Sequence, residues 1–218
     1  MTQVLDITPS EMLLLNGDKF ASKGIIGNIE LPLGIKVSAE KLGEALLANA
    51  FLTIEQEACV ELFVGKQKQL FGLINSDRLF MKRSSTADKW PAPSVESELC
   101  ALAQPEAVLV SDTLFDWLKK PHGTPWVLAL MHVQHSMAQR GILHEESRKL
   151  LGMTVSKSYS LDHEKLAAIQ QGVPEPNRLL MDNCKNSRPE VWKHLIKEIH
   201  LGINRRRAED GGDDDGDD

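Results

Sequence analysis

Apolar residues recur at helical spacing along much of this chain, and the pattern changes character over residues 51–83. Thr8-Pro9-Ser10-Glu11 is a capping box with proline at the first helical position, Ile7 and Met12 are placed to staple it, and Leu13–Leu15 supply a buried face before Asn16-Gly17 stops the helix. Residues 18–37 are rich in Gly and Ile and read as a loop with short extended pieces. A second helix is expected from a Ser38 cap through Leu42, Ala45 and Leu46 toward Ala50. Phe51–Ile54, Val60–Val64, Leu70–Ile74 and Leu79–Met81 are short apolar runs separated by Gly65-Lys66-Gln67-Lys68 and Asn75-Ser76-Asp77, the pattern of strands joined by hairpin turns. A polar connector, Ser84–Pro93, leads to one helix marked by Val95, Leu99 and Leu102, and to another after Ser111 with Leu114, Phe115 and Leu118 inward.

Thr124–Leu161 carries the most information. Thr124 stands as N-cap, Pro125 at the first helical position, Val127, Leu130, Met131 and Ala138 at helical spacing, and Gly141 at the end. An RGIL exit follows, then a short polar helix bearing Glu145, Glu146, Arg148 and Lys149, then Leu150-Leu151-Gly152 and a strand or hairpin over Met153–Leu161. Asp162 is positioned to cap a helix with Leu166 and Ile169 that Gly172 ends, and Pro174 and Pro176 break the chain. A last helix is expected from Ser187, boxed with Glu190 and burying Val191, Leu195, Ile196 and Ile199. No internal repeat is present. The pattern predicts a mainly α, single-domain helical globule with a small antiparallel β element over residues 1–204, followed by a disordered basic-then-acidic tail over 205–218.

Composition changes this picture in two ways. Seven carboxylates fall in the last ten residues, so without them the net charge of −6 becomes +1, and no strong field steers the body toward nucleic acid. The tail has nothing apolar to bury, and Arg205-Arg206-Arg207 before it reads as a solvated end. The longest apolar stretch, Trp126–Met131, is too short to span a bilayer, and the N-terminus has no signal-peptide pattern. Cys59, Cys100 and Cys184 are an odd, scattered set, as expected of reduced thiols in a cytoplasmic protein.

Catalytic motifs are missing: there is no nucleophile elbow, Walker loop, dinucleotide fingerprint, HExxH or paired C-x-x-C. His132 and His135 could share a metal only with two further ligands from other elements, such as His122 and His144, and read as ordinary half-buried histidines. His144, beside Glu145 and Glu146, reads as a solvated helix start. Among the tryptophans, Trp117, Trp126 and Trp192 lie on helices, whereas Trp90, in a proline loop, is the one expected at the surface. Arg78, Lys82 and Arg83 form a basic cluster that fits a phosphate or a charged edge strand equally well. The expectation is no enzyme, with no catalytic, cofactor or metal residues.

In order, TPSEMLLLN, KLGEALLANAFLTIE, VESELCAL, LFDWLKK and above all SMAQRGILHEESRKLLGM resemble segments of the Golgi phosphoprotein family over residues 7–170. The resemblance implies a helical core with a protruding β-hairpin that enters the bilayer beside a basic pocket for phosphatidylinositol 4-phosphate. Leu150, Leu151, Met153 and Val155 then form the membrane hairpin. The family's two pocket arginines fall at Val127 and Leu130, its loop tryptophan at Leu33 and its third arginine at Leu42, which leaves Lys41 as the candidate headgroup contact and the lipid preference open. The implied function is a peripheral lipid-binding adaptor, cytoplasmic and peripheral on a membrane, at the Golgi face in a eukaryote, with anionic phospholipid and a protein as partners. Helix, RGIL exit and hairpin are also the layout of a winged helix. A protein-interaction module of that kind is the alternative; nucleic acid fits poorly, because Trp126–Gln139 holds no Lys or Arg and the wing offers only Lys157.

Overall fold

The computed structural model describes residues 6–69, 74–85, 89–118, 124–150, 153–161 and 175–210. Among these are seven α-helices, which with three small antiparallel sheets make the chain mainly α. The helices are α1 (Pro9–Leu15), α2 (Ala39–Gln56), α3 (Val95–Leu102), α4 (Val110–Trp117), α5 (Pro125–Gln139), α6 (Glu175–Ser187) and α7 (Pro189–Asp210). The strands are β1 (Asn28–Glu30), β2 (Lys36–Ser38), β3 (Val60–Gln69), β4 (Ile74–Arg83), β5 (Val108–Leu109), β6 (His144–Leu150) and β7 (Met153–Ser160). They pair as β1–β2, β3–β4–β5 and β6–β7.

α2 is the centre of the core and packs on α1, α3, α5, α6 and α7. Its residues from Leu46 to Ile54 are all buried, Phe51 and Ile54 completely. This corrects the strand expected at Phe51–Ile54. A helix buried on every side shows no polar face, and a four-residue apolar window of it cannot be told from a strand. The capping box at Thr8 is present: Glu11 N–H donates to Thr8 Oγ1 at 3.4 Å and Thr8 N–H to Glu11 Oε2 at 3.0 Å. Ser38 caps α2 by accepting from Lys41 N–H, and Gly141 closes α5 at φ 71°.

The expected turns at Gly65–Lys68 and Asn75–Asp77 lie inside ten-residue strands. Gly65 makes room for stacking rather than for turning: a Cβ there would stand 3.0 Å from the Phe80 ring, which stacks on Phe63 at 5.8 Å. Lys66 faces Asp77 across the ladder with a 2.7 Å ion pair, so charges that suggest a loop are cross-strand partners.

Two further corrections concern the C-terminal half. The polar segment from His144 is a strand and not a helix, because it pairs with the β-branched and aromatic β7, with Glu145 opposite Tyr159 and Ser147 opposite Lys157. Pro176 does not break the chain: it is the second residue of α6, where a missing N–H costs nothing, and Pro174 lies outside the described residues. Ser187 donates back to Asn183 O at 2.6 Å instead of capping the next helix. α7 runs on through Arg205-Arg206-Arg207 to Asp210, so the folded body extends beyond residue 204. The helix expected after Asp162 and the last residues of the acidic tail lie outside the described residues.

Candidate functional site

The hairpin expected to meet a membrane is present as a separate two-stranded sheet whose main packing is on α5. Leu150 faces Met153 in register at its end, and Val155 is the extra residue of a bulge between the pairs Arg148–Ser156 and Lys149–Thr154. Leu151 lies outside the described residues. The hairpin's base is tied to α5 by one carboxylate: Glu145 Oε2 bonds His135 Nδ1 at 2.8 Å and Glu145 Oε1 pairs with Lys157 Nζ at 2.9 Å. Lys157 first, then His135, holds the Glu145 carboxyl down at about 2, while burial beside that carboxylate pushes the Tyr159 phenol up to about 12.

A depressed carboxyl stabilises the folded state above its unfolded value near 4.5 and loses that contribution as pH falls toward 2. Hydrogen-exchange protection of the β6–β7 amides is therefore expected to fall across that window, and Glu145→Gln to remove the dependence. Equal pH profiles for wild type and variant would count against this tie.

Lys41 stands elsewhere, in a cleft of about 570 Å³ whose walls also carry Lys19, Phe20, Glu44, Arg178, Asp182, Lys185 and Trp192. Three elements build it by helical periodicity. Arg178, Asp182 and Lys185 share one face of α6, whose adjacent face is fixed inward by Met181 and Cys184 and by Asn177 Nδ2–H donating to Pro9 O at 2.8 Å. Lys41 and Glu44 share the first turns of α2, and Lys19 ends the 3-10 turn Gly17–Lys19.

Charge in the cleft is unbalanced. Asp182 is spent on Lys185 at 3.3 Å, and Glu44 accepts from His200 Nε2 at 2.7 Å. Lys19 Nζ donates to Asn16 Oδ1 at 3.2 Å, and Arg178 donates to the Lys19 carbonyl at 3.2 Å, both neutral acceptors. Among the described residues Lys19, Lys41 and Arg178 thus have no carboxylate partner. Aromatic rings flank them: Arg178 lies 5.8 Å from the Phe20 ring centroid and Lys185 Nζ 4.8 Å from that of Trp192. Such a cleft can hold a phosphate against cations with an aromatic wall behind it.

The other expected positions are used structurally. Arg78 donates to both carboxylate oxygens of buried Glu198, and Arg83 to the carbonyls of Cys100 and Ala101, so two of the three cluster members are spent on structure while Lys82 is exposed. His132 and Trp117 both bond Glu98 Oε2, at 2.7 and 2.6 Å, and His135 bonds Glu145, so the two histidines serve different carboxylates. Trp90 packs against the core, and Trp192 borders the Lys41 cleft. Arg205 pairs with Asp112, and both Arg205 and Arg206 lie over Phe115, whereas Arg207 is exposed and borders a different cleft. At the aligned arginine positions, Leu130 is fully buried and Val127 packs on the core.

No protein-family model, curated protein or solved structure matches this chain. Among the described residues no helix is long and apolar enough to cross a membrane.

Proposed function

We propose that this protein is a peripheral binder of anionic phospholipid, with adaptor character as the Golgi phosphoprotein resemblance implies, and that the lipid phosphate occupies the Lys41 cleft. The observation that carries this reading is the cluster of Lys19, Lys41 and Arg178, drawn from three elements and left without carboxylate partners among the described residues. A cation near an anionic membrane contributes about 1 kcal/mol, so three such groups give roughly 3 kcal/mol before any apolar contact. That is too little for stable attachment, and the Leu150–Val155 hairpin supplies the second, apolar signal that such binding requires. Phosphatidylinositol 4-phosphate is the lipid the resemblance favours.

The winged-helix alternative has less support. Of the fifteen residues of α5, the would-be recognition helix, eight are buried, and on its half-exposed face His132 and His135 are engaged by Glu98 and Glu145, with no Lys or Arg to meet a phosphate.

Co-sedimentation with neutral vesicles, vesicles of phosphatidylserine, and vesicles of phosphatidylinositol 4-phosphate tests the reading. Wild type is expected to pellet with the anionic vesicles and not with the neutral ones. Lys41→Glu/Arg178→Glu should weaken that binding at least about 30-fold, the loss of two cations at about 1 kcal/mol each. Equal binding by wild type and variant would rule the cleft out.

A further inference from the structure

The exposed large hydrophobics among the described residues are Ile25, Ile26, Leu33, Ile35 and Leu179, with Ile25 at 102% and Ile26 at 83% exposure. Ile25 and Ile26 follow Lys19-Phe20 of the cationic cleft, Leu33 and Ile35 lie in the β1–β2 connection that leads into α2, and Leu179 neighbours Arg178. The loop bearing the two isoleucines is held in place. Gly24 N–H donates to Asn28 Oδ1 at 2.8 Å, Ser38 N–H to Ser22 O at 3.0 Å, and Ala39 N–H to Gly27 O at 2.9 Å. It is thereby fixed to the start of α2, two residues before Lys41. Ile26 also lines a second cleft of about 590 Å³ with His200 and Arg207, and the Glu44–His200 bond joins the walls of the two clefts.

Two aliphatic side chains held almost wholly in water on a tethered loop mark a contact surface. Its occupant has to offer hydrocarbon and negative charge within one layer, because Lys23 and Arg207 beside the isoleucines are exposed and, among the described residues, without carboxylate partners, and outnumber Glu40, the exposed carboxylate lining the same cleft. A bilayer of anionic lipid meets both needs, with apolar groups seated shallowly at the acyl boundary and cations at the phosphates. We propose that the Ile25-Ile26 loop is a membrane wedge that enters the bilayer next to the cationic cleft, a second insertion besides the β6–β7 hairpin. The inference rests on the anionic-lipid reading.

Ile25→Ser/Ile26→Ser, both at exposed positions, should lower affinity for anionic vesicles at least tenfold and leave the circular-dichroism spectrum and melting temperature unchanged. Ile26→Trp should add fluorescence that brominated acyl chains quench beyond the quenching seen with wild type. If wild type binds anionic vesicles while the serine variant binds equally and the added tryptophan is not quenched, the wedge is overturned and the cleft reading stands. Loss of vesicle binding without quenching of Ile26→Trp would place the loop against a protein or headgroup surface and overturn the wedge as well. Wild type that pellets with no vesicle overturns both.

Discussion

Arg78→Ala is expected to destabilise the protein by about 3–5 kcal/mol, because it strands a buried carboxylate without a counter-charge. Glu198 is wholly buried on α7, and Arg78 from β4 supplies both of its bonds, the one to Oε2 at 2.8 Å. The same guanidinium donates to Gln67 Oε1 at 2.5 Å and Ser111 Oγ at 3.1 Å, so one side chain ties β3, β4 and α4 to α7. The Glu198 bond outweighs burial and holds the guanidinium pKa above its ordinary value. For a chain of this size the loss corresponds to a fall of about 6–20 °C in melting temperature. Removing both charges with Arg78→Met/Glu198→Met should cost less than Arg78→Ala alone, since no unpaired ion remains. Thermal and urea denaturation of the two variants checks this. A loss below about 0.5 kcal/mol for Arg78→Ala would place it among ordinary surface substitutions and contradict the account.

Arg140→Ala is expected to be comparably damaging at neutral pH, by about 3–5 kcal/mol, and less so in mild acid. Arg140 leaves the end of α5, pairs with wholly buried Glu11 of α1, and donates to Asp6 O at 2.7 Å. Burial pushes the Glu11 carboxyl up, opposed mainly by the Arg140 bond, and nearby Glu96 pushes in the same direction as burial. A carboxyl raised in the folded state keeps its proton where the unfolded chain has lost it. Stability is then greatest below the unfolded value and falls as pH rises through the folded one. Without Arg140 only the Thr8 N–H bond opposes that upward push, so the variant should lose stability more steeply than wild type between pH 5 and 7, a window of about two units. Urea unfolding at the two pH values reads this out, and a variant whose penalty is the same at both would contradict it.

The opposite signs at Glu11 and Glu145 share a cause. Glu11 has one cation and no water around it, whereas Glu145 is reached by solvent and has two partners, so desolvation dominates the first and pairing the second.

Local chemistry made part of this legible from sequence. Thr8 and Glu11 cap α1 within four residues of chain, and Pro125 and Gly141 bracket α5, because caps and φ requirements act over that range. Where tertiary partners decide, the pattern misleads. The polar β6 is a strand through its pairing with β7, and the Leu46–Ile54 part of α2 is a helix buried on every side. α6 was hidden by two prolines, one of which sits where a helix tolerates it. The cleft was legible at one residue, Lys41, and through the resemblance alone. Lys19, Arg178, Lys185 and Trp192 reach it from distant parts of the chain, and no local spacing links them. The exposed Ile25-Ile26 pair gave a weak signal, as an apolar doublet in a loop that could equally have been core.

The central claim is that the Lys41 cleft holds a lipid phosphate, and calorimetric titration with a short-chain, water-soluble phosphatidylinositol 4-phosphate tests it without any contribution from membrane insertion. Saturable binding of one lipid per chain, lost in Lys41→Glu/Arg178→Glu and unaltered in Ile25→Ser/Ile26→Ser, is the predicted result. Absence of binding by wild type, or binding that the double charge reversal leaves intact, would contradict it.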